Sequence, residues 1–555
     1  MNLSGKGAVM SKKKVRNPLI KRIPKELIGD WKKYLVVFLF LVLTIGFVSG
    51  MYVANESMLK SAADGVKEYK QEDGHFELKK QADDALLSAI ETGEKADVKQ
   101  YYLDEAKKKL DKKFPKKFKS TFDEKFKSKF DAQFSAQVKQ TLAAQGMDEQ
   151  TVAAMLPAAV KQAKTEGTYK NAYDKAYSSA YTDSYDKAYD EAWKKAQDKI
   201  EDKYADAEEK YELNDPDFKA TKTTVYENFF RNEEEDYNND GKKDGTIRVF
   251  PQTEDINLAC LLKGSFPQTK DEIAIDRMHA DNVGVTVGDT ITISGETYKI
   301  VGLLAYVNYS TLHEKTTDLM FDALKFDVAM VTPEGFDRLH KSVHYTYAWK
   351  YENESEDDAQ EKIQSDNFMR ALLTQVVVAD NELEDYTPKY GNPAINFATD
   401  DMGSDKAMGG VLLDILIVII AFIFAVTISN TIAKEASAIG TLRASGYTKG
   451  ELIRHYLSMP VIVTLLAAIV GNILGYTVFK NVVVSMYYNS YSLPTYYTIW
   501  NPDAFFKTTL IPVILMLVVN LIVIVRMMQH TPLQFLRHDL KKTKNKKAMR
   551  LPRWK

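Results

Sequence analysis

Four long apolar segments stand out from an otherwise polar and charged chain of 555 residues. Each is close to or above the ~20 apolar residues that a helix needs to cross a bilayer. The first is longer than the core of a secretory signal peptide, and no small-x-small cleavage site follows it, so we interpret it as a retained helix. The pattern predicts four transmembrane helices, at residues 34–54, 409–432, 456–479 and 508–526.

Between the first two predicted spans, a highly charged tract carries aromatic residues at every fourth position. One series runs from Phe114 to Phe134, and the other from Tyr169 to Trp193. Residues four apart share a helix face, so each series forms an aromatic stripe. If Phe134 pairs with Tyr173, the midpoint between the two stripes in the sequence falls in the stretch 146–157, which contains Gly and Pro. We predict an antiparallel, coiled-coil-like helical hairpin over residues 96–210, about 70 Å long, with its turn at 146–157.

From residue 246 onward, short alternating apolar segments favour β-strands, with helices between them. Strands are predicted at 72–78, 246–250, 256–262, 272–276, 290–293, 297–307, 327–332 and 374–380, and helices at 277–283, 333–339 and 357–373. The pattern is typical of an α+β domain. We predict that this domain begins at 55–95, continues over 211–408 and carries the hairpin as an insertion.

An acidic stretch at 233–245, EEEDYNNDGKKDG, has a partial likeness to a calcium-binding loop. Asp236, Asn238, Asp240 and Asp244 follow a calcium-loop order, but position twelve is Ile247 and not the acidic residue that such a loop needs. An acidic surface turn is therefore the favoured interpretation, and calcium binding at 236–244 is the alternative. The histidines are scattered and the chain has one cysteine, Cys260, so no metal site is expected from spacing and no internal disulfide can form.

Charge asymmetry predicts the orientation in the membrane. The net charge of −2 hides it, because residues 1–33 hold ten Lys and Arg against two acids, and residues 526–555 hold ten against one. By the positive-inside rule, both termini lie in the cytoplasm of a multi-pass plasma membrane protein. The predicted order is a cytoplasmic basic and amphipathic segment (1–33), the first span, an extracellular domain (55–408), the second span, a cytoplasmic loop (433–455), the third span, a short extracellular loop (480–507), the fourth span and a cytoplasmic basic tail (527–555).

Motifs for catalysis and nucleotide binding are absent from the sequence. No G-x-x-x-x-G-K-[ST] phosphate loop and no G-x-S-x-G nucleophile elbow occurs. The basic runs adjoin membrane spans, which argues against nucleic acid as a partner. We therefore expect no enzymatic activity and no cofactor in this chain. Within the third span, Gly471 and Gly475 form a G-x-x-x-G pair suited to helix packing, and Asn472 and Asn520 are candidate interhelical hydrogen-bond formers.

The loop between the second and third spans carries the most specific motif. Its sequence, IAKEASAIGTLRASGYTKGELIRHYL (432–457), contains the pattern E-x-x-x-I-G-x-L-R-A-x-G. This pattern resembles the cytoplasmic loop of FtsX-like ABC transporter permeases of the MacB and FtsX mechanotransmission type. The resemblance implies that a separate ATPase docks on the loop, with an interface formed by Lys434, Glu435, Ile439, Gly440, Thr441, Leu442, Arg443, Ala444, Gly446 and Tyr447.

Two further regions resemble the same family. Residues 261–304 are similar to its extracellular core domain, and the tail TPLQFLRHDLKKTKNKKAMRLP is similar to the mid-chain linker of ten-span members. The chain thus resembles the N-terminal half of those longer proteins. Whether it is a natural half-length protein or a truncation is left open.

The resemblance also implies a function and partners. The chain would be a permease subunit that works with a dimeric ABC ATPase, which binds ATP–Mg, and with a second permease protomer, identical or a companion half. Membrane lipids would surround it. The resemblance does not cover the hairpin, which we separately expect to contact an extracellular protein or the cell wall. The output would be export or extraction of a peptide or lipid-like substrate, or control of an extracellular protein such as a cell-wall hydrolase. An ATP-independent membrane-anchored adhesin or sensor is the alternative from another class.

Overall fold

The structure, a computed structural model, describes residues 19–29, 31–355 and 357–540. It forms two compact units, each assembled from separate stretches of chain. The first unit comprises Met1–Glu72, Asn228–Val343 and Gly391–Lys555, and the second comprises Asp73–Glu227 and His344–Tyr390. Residues 211–408, predicted as one α+β domain, therefore contribute to both units. The predicted basic segment and tail lie partly outside the described residues.

The helices are α1 Leu19–Gly29, α2 Trp31–Glu68, α3 Asp84–Glu91, α4 Val98–Ala144, α5 Glu149–Thr165, α6 Thr168–Tyr211, α7 Arg277–Val283, α8 Pro333–Asp337, α9 Asp358–Val378, α10 Pro393–Lys434, α11 Ala436–Ala444, α12 Lys449–Leu474, α13 Lys480–Ser490, α14 Pro502–Phe505, α15 Ile511–Met527 and α16 Pro532–Leu536. A π-helical turn, Gly475–Phe479, joins α12 to α13, and a second, Phe506–Leu510, joins α14 to α15.

The strands are β1 Gly74–Leu78, β2 Thr223–Glu227, β3 Arg231–Asp236, β4 Gly245–Pro251, β5 Ala259–Gly264, β6 Glu272–Asp276, β7 Thr290–Ile293, β8 Glu296–Tyr306, β9 Phe326–Val331, β10 Tyr345–Tyr351 and β11 Leu383–Pro388. Four of them, β2, β3, β10 and β11, were not predicted. β2, β3 and β11 carry charged or mixed residues without regular alternation, whereas β10, YTYAWKY, has an aromatic residue at every second position, a strand signal that sequence reasoning overlooked.

Four helices of the first unit are long and apolar enough to cross a membrane, as predicted. They run over Tyr34–Glu68, Pro393–Lys434, Lys449–Ser490 and Pro502–Met527. The first three continue well beyond the apolar segments that predicted them. A helix satisfies its own backbone hydrogen bonds, so it can pass from an apolar to an aqueous environment without interruption.

The sheet of the first unit has seven strands in the order β5-β8-β6-β9-β4-β3-β7, and β7 also pairs with β8. Six strands, β8, β6, β9, β4, β3 and β7, therefore form a hydrogen-bonded ring. Its core is aliphatic and includes Ile247, Ile273, Ile291 and Ile300, all fully buried. Alternate strand residues point inward to fill such a small barrel.

The sheet of the second unit is antiparallel, in the order β11-β1-β10-β2. Its core is aromatic: Trp349 and Phe76 from adjacent strands pack on Phe368 of α9, with ring centroids 5.0 and 6.4 Å away. The predicted strand at 374–380 is wrong, because those residues are the end of α9. Valines at 376–378 favour a strand, but tertiary packing overrides this preference, because a helix buries Phe368, Leu372 and Val376 together on one face.

Helices α4 and α6 of the second unit pack antiparallel, and their aromatic stripes interdigitate. Phe122, for example, meets Tyr177 and Tyr181 edge-to-face, with centroids 5.5 and 5.2 Å apart. Such edge-to-face pairs add to the stability that burial alone provides. The predicted register is wrong by one helical turn, since Phe134 contacts Tyr169 and not Tyr173.

The register differs because the predicted turn at 146–157 folds as part of a third helix, α5, which contains Pro157. The chain reverses in two short turns, at Gly146 and Gly167, whose φ angles of +83° and +80° favour glycine. Val152 of α5 is buried, so the tip of this three-helix element has a small core of its own.

Tyrosine hydroxyls fix the register of the two long helices. Tyr169 and Tyr177 of α6 donate to Asp131 and Asp123 of α4, each at 2.5 Å. Burial, together with the Asp131 carboxylate, raises the pKa of Tyr169 to about 12. The protonated, donating form is therefore the one that the folded helices stabilise, and its contribution is present at neutral pH and lost only as pH rises from about 10 towards 12.

Substitution of Phe122 by alanine tests the aromatic packing. Removing a ring held between two tyrosines should destabilise the paired helices by about 2–3 kcal/mol. Hydrogen exchange of backbone amides near 115–130 and 170–185 should become at least tenfold faster. Lys125→Ala, one turn away and exposed, is the matched control and should change little; equal acceleration in both variants would show that the stripe does not hold the helices together.

Candidate coupling site

The loop between α10 and α12 is built from two helix-capping motifs. Helix α11 ends in a Schellman motif, in which the Tyr447 amide donates to Leu442 and the Gly446 amide donates to Arg443, at 3.1 and 3.2 Å. Gly446 has the left-handed φ of +98° that this motif requires. Thr448 and Glu451 then form a capping box that starts α12. Local sequence therefore explains why a nine-residue helix and a tight turn separate the two long helices.

The inner face of α11 is buried within this chain. Ile439 is fully buried, with Ala436, in a cluster to which α10, α12, α15 and α16 also contribute. Gly440 lies directly under α16: a Cβ atom there would stand 2.8 Å from Leu536 Cγ and 3.1 Å from the Pro532 carbonyl oxygen. Ile439 and Gly440, predicted as contacts for a partner, instead support the loop from inside.

Arg443 fastens α11 to the end of α15. Its guanidinium donates to the carbonyls of Met528, at 3.2 Å, and His530. The last carbonyls of a helix have no intrahelical partner and carry the negative end of the helix dipole, so a cation is stabilised there. The half-buried Arg443 is therefore a structural link between the loop helix α11 and the end of the membrane helix α15.

Glu435 occupies the junction of α10 and α11. Its carboxylate accepts a hydrogen bond of 2.6 Å from the Tyr456 hydroxyl of α12 and lies 3.6 Å from the Arg22 guanidinium of α1. Helices α1 and α12 thus both contact the carboxylate at the junction of α10 and α11.

The outer face of α11 is exposed, and so are the residues that flank the helix on that side. Lys434, Thr441, Ala444 and Gly446 of the predicted interface lie on this face, together with Ser437, while Leu442 and Tyr447 are half-buried. Positions 437, 441 and 444 of α11 repeat at intervals of four and three, so they form one stripe, which we call the exposed stripe. Lys434 lies next to it, at the end of α10. Interaction surfaces on helices use this spacing.

Helix α16 is the element of the site that sequence reasoning missed. The segment was interpreted as linker-like, but it packs on α11 and buries Phe535 in the shared cluster. A signal for it exists in the sequence T-P-L-Q: Thr531 and Gln534 form a capping box, and Pro532 takes the first helical position, where proline is favoured.

Glycines bring the first and third spans into close contact. A Cβ atom on Gly471 would stand 3.2 Å from the Val42 carbonyl oxygen, and one on Gly475 would stand 3.0 Å from that of Gly46. The facing helix has its own G-x-x-x-G pair, Gly46 and Gly50, which sequence reasoning did not single out. Small residues on both helices permit this approach of the two backbones.

Asn472 lies between these glycines and bonds to other helices. Its amide accepts from Ser49 at 3.0 Å and donates to Thr509 at 2.7 Å. Asn520 was predicted to act similarly, but within the described residues its buried side chain makes no hydrogen bond. It lines a small cavity with Thr427 and Thr431 instead.

Gly440→Ala tests the packing of α11 on α16. The added methyl group collides with Leu536 and the Pro532 carbonyl, and overpacking of this kind costs about 1–3 kcal/mol. The thermal unfolding midpoint of the purified protein should fall by several degrees. Gly450→Ala, in the first turn of α12 where nothing lies within 4 Å, should leave the midpoint unchanged or raise it; a similar loss in both variants would contradict the contact.

Comparisons with known proteins agree with the site at the level of family. No curated protein matches the chain. Among solved structures, the periplasmic region of MacB from Actinobacillus actinomycetemcomitans aligns at 9% identity over 31% of this chain and 75% of that chain. Its TM-score of 0.18 is too low to support an argument. Residues 410–532, which include the exposed stripe and three of the spanning helices, match the model of the FtsX-like permease C-terminal domain, so this part of the chain is similar to permeases of the FtsX type.

Proposed function

We propose that this chain is the transmembrane subunit of an ABC transporter complex, and that a separate cytoplasmic ATPase drives it through the exposed stripe. The observation that carries the proposal is the coincidence of the family match, 410–532, with a helix that is anchored on one face and exposed on the other. An anchored helix can transmit a force applied to its exposed face, whereas a loose connector would absorb it.

Contacts at the other end of α10 support the same proposal. Ser310, in a loop of the barrel-bearing part of the first unit, donates to the carbonyl of Ala394 at 2.8 Å, and Thr311 donates to that of Pro393 at 3.1 Å. Ala394 is also buried in the core of that part. The beginning of α10 is thus fixed to a folded domain, and its end is fixed to α11.

The orientation in this proposal follows the charge asymmetry. Both termini and residues 433–455 face the cytoplasm, and residues 55–408 and 480–507 face the exterior. The paired helices α4 and α6 then extend from the outer domain and contact an extracellular protein or the cell wall.

The proposed complex contains more than this chain. A dimeric ATPase binds ATP–Mg, a second permease protomer, identical or a companion half, completes the membrane part, and lipids surround the spans. The chain itself catalyses no reaction. Movement of the outer domain serves either export or extraction of a peptide or lipid-like substrate, or control of an extracellular protein such as a cell-wall hydrolase.

Charge introduced on the exposed stripe tests the proposal. Thr441→Glu combined with Ala444→Glu should disrupt the docking surface without touching the buried face, so co-purification of an ATPase with the extracted chain should fall at least tenfold. Ala63→Glu, an exposed position of α2 on the proposed outer side, is the matched control and should retain the ATPase.

Two outcomes would contradict the proposal. In one, no ATPase accompanies the unaltered chain under conditions that keep the membrane helices folded. In the other, the double variant retains the ATPase as fully as the control does. Either result would favour an ATP-independent anchor or sensor.

A further inference from the structure

Three potential metal ligands converge in the interior of the first unit. Glu235 lies at the end of β3, His279 on α7 and Asp327 on β9. All three side chains are fully buried, and their ligand atoms lie within 4.8 Å of one another. They are far apart in the sequence, so no spacing motif indicates the cluster, and the expectation of no metal site came from spacing alone.

Several oxygen atoms of this cluster accept no hydrogen bond from the described part of the protein. Asp327 Oδ1 accepts from the amides of Val328 and Asp276, at 2.7 and 3.3 Å. Within the described part of the chain, Asp327 Oδ2 and both carboxylate oxygens of Glu235 have no hydrogen-bond partner. Buried carboxylate oxygens without a partner are costly, and each requires a compensating group.

The histidine tautomer is fixed by its other nitrogen. Nδ1 lies 2.8 Å from the carbonyl oxygen of Ala323, which can only accept, so Nδ1 carries a proton. Nε2 faces Glu235 Oε1 at 3.3 Å. A backbone carbonyl that holds Nδ1–H and leaves Nε2 free for a ligand is the arrangement found around metal-binding histidines.

Charge balance distinguishes two ways of satisfying the cluster. With protons alone, an imidazolium would balance only one of the two carboxylates, Glu235 and Asp327. Two carboxylates and a neutral imidazole, in contrast, match the charge of one divalent cation.

We propose that Glu235, His279 and Asp327 bind one divalent transition-metal ion, with zinc as the ion that best fits one imidazole and two carboxylates. Tetrahedral zinc takes nitrogen and oxygen ligands at about 2.0–2.2 Å, which places ligand atoms about 3.3–3.6 Å apart, close to the 3.3 Å between His279 and Glu235. Calcium fits poorly, because it takes six to eight oxygen ligands.

The adjacent acidic turn is a separate feature. The Asp236 carboxylate accepts from the amides of Asp240 and Gly241, at 3.1 and 2.8 Å, and so stabilises the turn itself. The ligand set thus uses Glu235, the residue before the acidic stretch 236–244, and none of the acidic residues of that stretch, for which calcium binding was only the alternative interpretation.

A metal ion at this position would stabilise the contact between α7 of the barrel and residues 491–492, which follow the third spanning helix. Asp276, which caps α7, accepts a hydrogen bond from Ser492, and Arg277 donates to the Tyr491 carbonyl at 2.6 Å. Because α7 also carries His279, the ion would tie this contact to β3 and β9.

Metal content and metal-dependent stability of the full chain test the proposal. The protein is purified in detergent without chelator, and zinc and manganese are measured by mass spectrometry. We expect about one ion per chain, a fall in the unfolding midpoint of about 5 °C or more after EDTA treatment, and its recovery on addition of zinc. Glu235→Gln and His279→Gln should each reduce bound metal at least tenfold, whereas Glu234→Gln, an exposed neighbour on β3, should retain it.

The measurements on unaltered protein keep the test decisive even if the variants fold poorly. The proposal would be overturned if the purified protein held no ion and if millimolar zinc or manganese left the unfolding midpoint of the EDTA-treated protein unchanged. In that case a protonated His279 would be the group that satisfies the two carboxylates. Loss of metal in Glu234→Gln equal to that in Glu235→Gln would also overturn it.

Discussion

Helix α10 is unbroken from Pro393 to Lys434, and the rest of the account depends on this continuity. Every interior amide is bonded within the helix, so bending it in an apolar environment would expose backbone groups that no solvent can satisfy. At 1.5 Å per residue, its 42 residues extend about 63 Å, roughly twice the thickness of a bilayer core. In the proposed function, this continuity is what would pass a displacement at one end of α10 to the other.

The packing around α10 limits which movements are available. Glycines on α2 and α12 bring two backbones together without intervening side chains, and Asn472 adds hydrogen bonds across the same contact. Interfaces of this kind allow sliding or rocking of whole helices more readily than deformation of any one of them. Arg443 and Glu435 tie the short α11 to neighbouring helices. Under the proposed function, the exposed stripe is the surface at which such a movement would begin.

Sequence patterns predicted well the elements whose signal lies within one segment, and predicted poorly the features that depend on contacts between distant segments. The four spanning helices, the barrel strands such as β6 and β7, and helix α7 depend on local apolar patterning, which one segment carries by itself. The pairing of Phe134, the fold of 374–380 and the burial of Gly440 depend on residues that are distant in the chain. The cluster of Glu235, His279 and Asp327 could not be predicted at all, because its residues come from three elements that are distant in the sequence and no local pattern indicates that they meet.

The central claim, that ATP binding at the inner surface moves the helices where they emerge on the other side, can be tested by a distance measurement. Spin labels are placed at Ala63 of α2 and Ser404 of α10, which are both exposed, and the buried Cys260 is replaced by serine. The labels then report the distance between these two helices in lipid nanodiscs that contain the chain and the co-purified ATPase. The account predicts that the distance distribution shifts between the nucleotide-free and ATP-bound complexes. Identical distributions in a complex that binds and hydrolyses ATP would contradict it.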